Sequence, residues 1–229
     1  MGWPSLLVFV RHAESEGNIR TPEERVNYEV AAHAYALTDR GQAQAGITGA
    51  YLQEKYGEFD VYYSSYYKRA KETLKIMYWD AHHYEDARLA EAQRGIWHTM
   101  PSALIAEHYP KEIERKKREG LYHYRPLGGE NWADIELRIH SFLGTLNRDC
   151  SDQKVLVVAH GHWLILFQRL VEHFSIEEAE RRYTTNSEAF ENASVTVYKG
   201  ETVNGKSRLA LEQKNFVPWR SELGIVAHE

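Results

Sequence analysis

Three places in the chain put basic side chains at the end of an apolar run. Leu6-Leu7-Val8-Phe9-Val10 leads into Arg11-His12, and Asp60-Val61-Tyr62-Tyr63 leads into Ser64-Ser65, with Arg69 one turn further on. Lys154-Val155-Leu156-Val157-Val158-Ala159 leads into His160-Gly161-His162. The planar fork of an arginine donates to two oxygens of a phosphoryl group at once. Two such groups would hold a dianion and the charge that develops in phosphoryl transfer. A neutral imidazole can attack phosphorus and split one hard displacement into two easier ones. Transfer from an alkyl phosphate also needs an acid at the leaving oxygen. Glu91, in Arg88-Leu89-Ala90-Glu91, is the carboxyl best placed for that by sequence.

These side chains meet only if the runs before them are neighbouring strands. Each run is short, partly β-branched and apolar at successive positions, the pattern of a strand buried on both faces of a parallel sheet. Ligands of open α/β sheets bind at the carboxyl ends of strands. The helix expected after His160 would aim its N-terminal N–H groups at the same edge. Thr38-Asp39-Arg40-Gly41 predicts a helix entry, with Thr38 or Asp39 as N-cap. Apolar spacing predicts further helices over Tyr67–Tyr78, Glu130–Cys150 and Ile176 to about Tyr183. Arg88–Glu91 is read as a short strand end. Ala193–Tyr198 and Leu209–Lys214 are read as closing strands, joined as a hairpin through Asn204-Gly205. Strands alternating with helices predict an α/β fold with a mostly parallel sheet.

Two stretches stand outside that pattern. Residues 13–37 read as loop or broken helix. Gln93–Gly129 carries Pro101, Pro110 and Pro126 and the charged run Lys111–Arg118, and reads as an insertion that covers one side of the site. The charged run is expected to be a solvated helix face. Nothing resembles a linker, so a single domain over residues 1–229 is expected, and the tail from Asn215 carries no pattern.

Composition narrows the class of function. With 229 residues, 43% of them hydrophobic and 27% charged, the chain can bury a sizeable core. A formal net charge of −5 argues against a nucleic-acid partner. A single cysteine, Cys150, leaves no internal disulfide to form and suits a reducing compartment. It falls at a helix end with no activating neighbour and is read as inert. Neither a leader peptide nor a run of membrane-spanning length is visible, and the Met1-Gly2 start has Leu6 where a myristoylation signal wants Ser or Thr. A cytoplasmic protein with no membrane partner is the expectation. The oligomeric state is not legible.

Arg11-His12-Ala13-Glu14-Ser15 with Asn18 resembles the signature of the histidine phosphatase superfamily, which includes the cofactor-dependent phosphoglycerate mutases. Other pieces follow in the family's order. Leu37-Thr38-Asp39-Arg40-Gly41-Gln42-Ala43-Gln44-Ala45 is similar to its helix entry, and Ser65 through Arg69-Ala70 to Thr73 is similar to its Ser-x-x-x-Arg-Ala-x-x-Thr segment. Leu89-Ala90-Glu91 before Gly95, Gly128-Gly129-Glu130-Asn131, and Val157-Val158-Ala159-His160-Gly161 each resemble a further motif.

Carried over by residue, the resemblance implies that His12 takes the phosphoryl group and that Arg11, Arg69 and His160 form the phosphate pocket. Asn18 would add a hydrogen bond and Glu91 would be the proton donor. Ser15, Gly161 and His162 are candidates for substrate contact. The implied fold is a three-layer α/β/α sandwich, with no metal needed and a small phosphorylated molecule as partner. Ala92-Gln93-Arg94-Gly95-Ile96-Trp97 departs from the mutases' Arg-x-Tyr-Gly-x-Leu-x-Gly run, and His162 stands where mutases usually carry Asn. Both departures favour a phosphatase over a mutase. No cofactor is expected for a phosphatase; 2,3-bisphosphoglycerate would serve as primer in a mutase.

Two readings from other classes compete. His160 and His162, with His12, could be a three-histidine metal site of a hydrolase. The same scaffold could instead bind a phosphorylated ligand without turnover. Glu14 is expected to be structural rather than the acid, the tyrosines from Tyr62 to Tyr67 core or pocket wall, and Trp132 a packing residue at a helix start.

Overall fold

Leu7, Val8, Phe9 and Val10 have no solvent exposure, so the first strand lies in the middle of a sheet. In the computed structural model, which describes residues 2–185 and 188–223, that strand is β1 (Leu6–Arg11). The other strands are β2 (Val61–Ser64), β3 (Tyr84–Glu85), β4 (Lys154–Ala159), β5 (Val195–Val203) and β6 (Lys206–Phe216). They form a six-stranded sheet in the order β3-β2-β4-β1-β5-β6. β1 and β2 both run parallel to β4, and β3 parallel to β2, while β5 and β6 are antiparallel. The parallel, fully buried half is where near-continuous apolar runs are needed.

The alternation of side chains along β1 divides the core. Leu7 and Phe9 pack with α7 (Trp132–Asp149) and α8 (Gly161–Glu172). Leu6, Val8 and Val10 pack on the opposite face with Leu52 of α2 (Asp39–Tyr56) and Ala70, Leu74 and Met77 of α3 (Lys68–Met77). The result is the expected three-layer α/β/α sandwich. Among the described residues no helix is long and apolar enough to cross a membrane.

Local signals explain most boundaries. Thr38 caps α2 by accepting from the Gly41 N–H at 3.0 Å. A Cβ on Gly41 would lie 1.9 Å from the Glu14 carbonyl oxygen, so this helix can sit against the segment after β1 only with glycine there. Asn131 and Asp134 form a reciprocal capping box at the start of α7. Asn204 and Gly205, both at positive φ, close β5 and β6 as a two-residue hairpin.

Two expectations change. The strand end expected at Arg88–Glu91 is a 3₁₀ turn, Ala87–Leu89, and the edge strand β3 precedes it. The cause is Asp86, whose carboxylate accepts from the Arg88 N–H at 2.8 Å and starts the turn. β5 and β6 are longer than their apolar stretches. The tail, which carries no pattern in the sequence, packs onto the body: Val217 and Trp219 are buried against Ala13, Leu37 and Ala45, and Trp219 donates to the Asn192 carbonyl at 2.8 Å. Between β1 and α2 lie the short α1 (Pro22–Val26) and a 3₁₀ turn, Ala32–Ala34; beyond Glu91 come α4 (Ile96–Thr99), α5 (Ser102–His108) and α6 (Pro110–His123). α9 (Ile176–Thr184) and α10 (Arg220–Leu223) complete the described helices.

Candidate active site

Strand register does the first part of the assembly. Arg11 pairs with Ala159 and Ser64 with Val158, so β1, β2 and β4 end level with one another. The His12 N–H donates to the Ala159 carbonyl at 2.9 Å and the Ser65 N–H to the Val158 carbonyl at 3.1 Å, extending the ladder by one residue on each side. His12, Ser65 and His160 therefore emerge together. Arg69 reaches them from the first turn of α3.

One guanidinium joins the two imidazoles. Arg69 Nε donates to His12 Nε2 at 3.1 Å and Nη2 to His160 Nδ1 at 3.2 Å, while Nη1 donates to the Ala32 carbonyl at 2.8 Å. The partners fix both tautomers. A guanidinium only donates and a carbonyl only accepts. His12 Nδ1, 2.8 Å from the Ala13 carbonyl, therefore carries the proton and Nε2 keeps its lone pair. His160 Nδ1 is the acceptor and Nε2–H donates to Ser65 Oγ at 2.9 Å. Both imidazoles are held well below the usual histidine range, first by burial and then by the Arg69 charge. They are neutral at pH 7.

Arg11 lies against the start of α8, where a Cβ on Gly161 would be 3.4 Å from its Nε. One Nη donates to the Phe190 carbonyl, but Nε is buried with no acceptor among the described residues. Burial lowers the affinity of Arg11 and Arg69 for their protons, Arg69 to about 10, and in both the Glu91 charge is the largest opposing effect. Glu91 lines the same cleft, and its Oε1 accepts from the Ala92 N–H at 3.0 Å.

Asn18 also lines the cleft. Its Oδ1 accepts from both the N–H and the hydroxyl of Ser15, each at 2.9 Å, which leaves the amide NH₂ as its donor toward the cleft. Ser15 thus orients Asn18. His162 borders the cleft with its ring stacked on Tyr183 at 4.5 Å and against the edge of Trp132 at 4.8 Å. Its two nitrogens are buried without hydrogen-bond partners, so in this arrangement it presents ring surface. Glu14 is structural, accepting from Thr38 Oγ1 at 2.7 Å and facing Arg40 at 3.5 Å. Cys150 is buried at the end of α7 with Tyr63 Oη 3.9 Å from its Sγ, and burial raises its thiol pKa.

The cleft has a volume of about 880 Å³. Its far wall comes from the segment expected to cover the site: Gln93, Arg94, Trp97, His98, Lys116 and Tyr124 all line it. The two ends of that segment are tied together. The Glu130 N–H donates to the Gln93 carbonyl at 2.8 Å, and Gly95, at positive φ, fits where a Cβ would lie 2.0 Å from the Leu127 carbonyl. The charged run is mostly an exposed helix face, but Glu112 is buried and accepts from Tyr124 Oη at 2.9 Å, and Lys116 reaches the cleft over Trp97 at 4.3 Å.

Sequence inspection missed Arg138. Its guanidinium pairs with both Glu130 oxygens at 2.8 and 3.0 Å and also donates to the carbonyls of Arg88 and Ala90 at 2.8 and 3.1 Å. It anchors the loop that carries Glu91. An arginine mid-helix gave no signal beyond its type.

For His160 and His162 to ligate one metal with His12, the lone pairs of all three would have to face it together. His160 and His162 instead fall at the N-cap and second residue of α8, and the lone pairs of His160 Nδ1 and His12 Nε2 both face Arg69. Among the described residues no group of three or more His, Cys, Asp or Glu is spaced to hold a metal ion.

Residues 7–209 match the family model of the histidine phosphatase superfamily, branch 1. Phosphoserine phosphatase 1 of Hydrogenobacter thermophilus is 32% identical over 158 residues, covering 67% of this chain and 70% of that protein. The 2,3-bisphosphoglycerate-dependent phosphoglycerate mutase of Rhizobium etli is 31% identical over 69% of this chain and 75% of its own. Among solved structures, the alpha-ribazole phosphatase of Shigella flexneri superimposes with a TM-score of 0.71 at 18% identity, covering 93% of this chain and 98% of that one.

Proposed function

The chain belongs to the histidine phosphatase superfamily, branch 1, and from that premise we propose that it hydrolyses small phosphate monoesters through a phosphohistidine on His12. One observation carries the reading: His12 Nε2 keeps its lone pair, which faces the Arg69 guanidinium at 3.1 Å in a cleft that Arg11 and Glu91 also line. Arg11, Arg69 and the N-terminus of α8 would hold the phosphoryl oxygens, with Asn18 NH₂ and His160 beside them.

In the first step His12 Nε2 forms a bond to phosphorus as the ester P–O bond breaks. Glu91, as the carboxylic acid, gives its proton to the leaving alcohol oxygen. In the second step a water oxygen attacks phosphorus, the N–P bond breaks, and the Glu91 carboxylate takes a proton from that water. Phosphate leaves, and His12 and Glu91 return to their starting forms. The hydrogen bond from His12 Nδ1 to the Ala13 carbonyl would stabilise the charge that the ring gains on phosphorylation.

The test is hydrolysis of p-nitrophenyl phosphate with and without EDTA, followed by mass spectrometry of acid-labile phosphate on quenched protein. Turnover that survives EDTA, a phosphoryl group on His12, and loss of both in His12→Ala are expected. Loss on adding EDTA would restore the metal-hydrolase reading, and absence of turnover would leave a binding protein. Mutases stand among the relatives, so 3-phosphoglycerate is also assayed with 2,3-bisphosphoglycerate: isomerisation without phosphate release would make the protein a mutase.

A further inference from the structure

We propose that the outer part of the cleft is a second anion subsite, formed by Arg94 and Arg25 with Lys116, and that the substrate is a phosphomonoester whose alcohol portion carries a carboxylate or a second phosphate. The proposal rests on the phosphomonoesterase reading and names its substrate class.

The first support is how the arginines are used. Among the described residues, every arginine except Arg11, Arg20, Arg25, Arg69 and Arg94 lies within ion-pair distance of a carboxylate. All of those five but Arg20 line this one cleft. Arg11 and Arg69 serve the phosphoryl group. Arg25 and Arg94 come from other elements, α1 and the loop after Glu91, and are not needed for it.

The second support is what these cations touch. Arg25 donates to the Gly17 carbonyl at 3.0 Å and Arg94 to Tyr183 Oη at 3.2 Å, neutral partners that position them without cancelling their charge. Lys116 lies over the neutral ring of Trp97. Glu29 borders the cleft without forming an ion pair with any of the three. Arg94 makes Arg25, His98 and Lys116 each hold a proton less tightly, the effect ranking after burial in every case. Like charges gathered around a cavity raise the energy of the unliganded protein, and an anion among them relieves that cost.

The third support is size and placement. A phosphoryl group fills only a small part of about 880 Å³, so the remaining space takes the alcohol portion. His98 lines the same cleft, and charges from both sets, Arg94 and Arg25 on one side and Arg69 on the other, act on it, so the two sets border one space. A small molecule can therefore face both sets at once.

Glycerol 3-phosphate and 3-phosphoglycerate test this, because they differ only in a hydroxymethyl group against a carboxylate. 1,3-Propanediol bisphosphate supplies a second phosphate instead. For the wild type, kcat/KM for at least one anionic probe is expected to exceed that for glycerol 3-phosphate by about tenfold or more, the scale of one charge-assisted contact. The preferred probe tells carboxylate from phosphate. Arg94→Gln and Arg25→Gln should each collapse the ratio, mainly through KM, and Arg94→Lys should keep most of it. The same three ligands are titrated calorimetrically into the His12→Ala protein, where no turnover intervenes. Tighter binding of an anionic probe that disappears on adding Arg94→Gln supports the subsite even if the wild type proves not to be a phosphatase. Equal binding of all three probes to His12→Ala overturns it, whatever the turnover.

Discussion

Arg69 Nε stands 3.1 Å from His12 Nε2, and the same guanidinium reaches His160 Nδ1 at 3.2 Å. A single planar group thus sets the spacing of two buried imidazoles whose ring centroids lie 5.1 Å apart. The arrangement needs a fork: one nitrogen for each ring and a third for the Ala32 carbonyl. Lysine keeps the charge but has one nitrogen to divide among three acceptors. Arg69→Lys is expected to lower kcat for p-nitrophenyl phosphate by roughly 10²–10³, the cost of losing one preorganised donor to a developing charge. Steady-state kinetics, with circular dichroism to verify folding, checks this; a loss under fivefold would show that charge alone suffices.

The protonation of the two rings can be observed without substrate. Burial and the Arg69 charge both oppose protonation of His12 and His160, so neither should take up a proton until well below pH 6.5. Ring ¹⁵N spectra between pH 8 and 5 should show His12 fixed with the proton on Nδ1 and His160 with it on Nε2. The sign for stability follows. The unfolded chain protonates these histidines near 6.5 and the folded chain does not, so their contribution is present above that pH and is lost as pH falls below it. Imidazolium signals from either ring at pH 6 would contradict the geometry.

The inner site was legible in the sequence because its residues sit at the ends of strands with strong apolar patterns. Once the strands are parallel, register alone brings His12 and His160 to one edge. Glu91 was identified from its motif, but the strand expected to carry it is a 3₁₀ turn, since a single Asp86 cap outweighs four residues of weak pattern. The outer wall was less legible. Lys116 differs from Lys117 and Arg118 only in which way a helix faces, and Trp219 becomes core only by joining a cluster drawn from residues 13–45 and Ala193. Long-range packing of this kind leaves no local periodicity to read.

Arg138 shows what such contacts hold in place. Its guanidinium clamps Glu130 and the carbonyls of Arg88 and Ala90, and the carbonyls belong to the turn leading into Glu91. Arg138→Met keeps much of the stem and removes the clamp. The expected outcome is a stability loss of about 1–3 kcal/mol, from partly buried groups left without a charged partner. Because the turn before Glu91 is loosened, kcat for an alkyl phosphate, which needs the acid, should fall more than kcat for p-nitrophenyl phosphate, whose leaving group needs it less. Equal losses on both substrates would assign Arg138 to stability alone.

His162 shows the opposite balance between stability and the cleft. Its ring is packed between Trp132 and Tyr183, yet both nitrogens are buried without partners, and burial lowers its pKa to about 4, with the Glu91 charge opposing. Leaving a buried polar group unpaired costs about 1–3 kcal/mol. Phenylalanine fills a similar shape without that cost, so His162→Phe is expected to raise the midpoint of thermal unfolding by several degrees. The pH dependence supplies the sharper check. The unfolded chain binds a proton at this position near pH 6.5 and the folded chain only near 4, so wild-type stability declines as pH falls through that window. Removing the imidazole should make the decline shallower by up to about 1.4 kcal/mol per pH unit. Denaturant unfolding of both proteins at pH 7, 6 and 5 measures it. Parallel curves would mean that His162 already has a hydrogen-bond partner in solution, and that its nitrogens are turned toward the cleft.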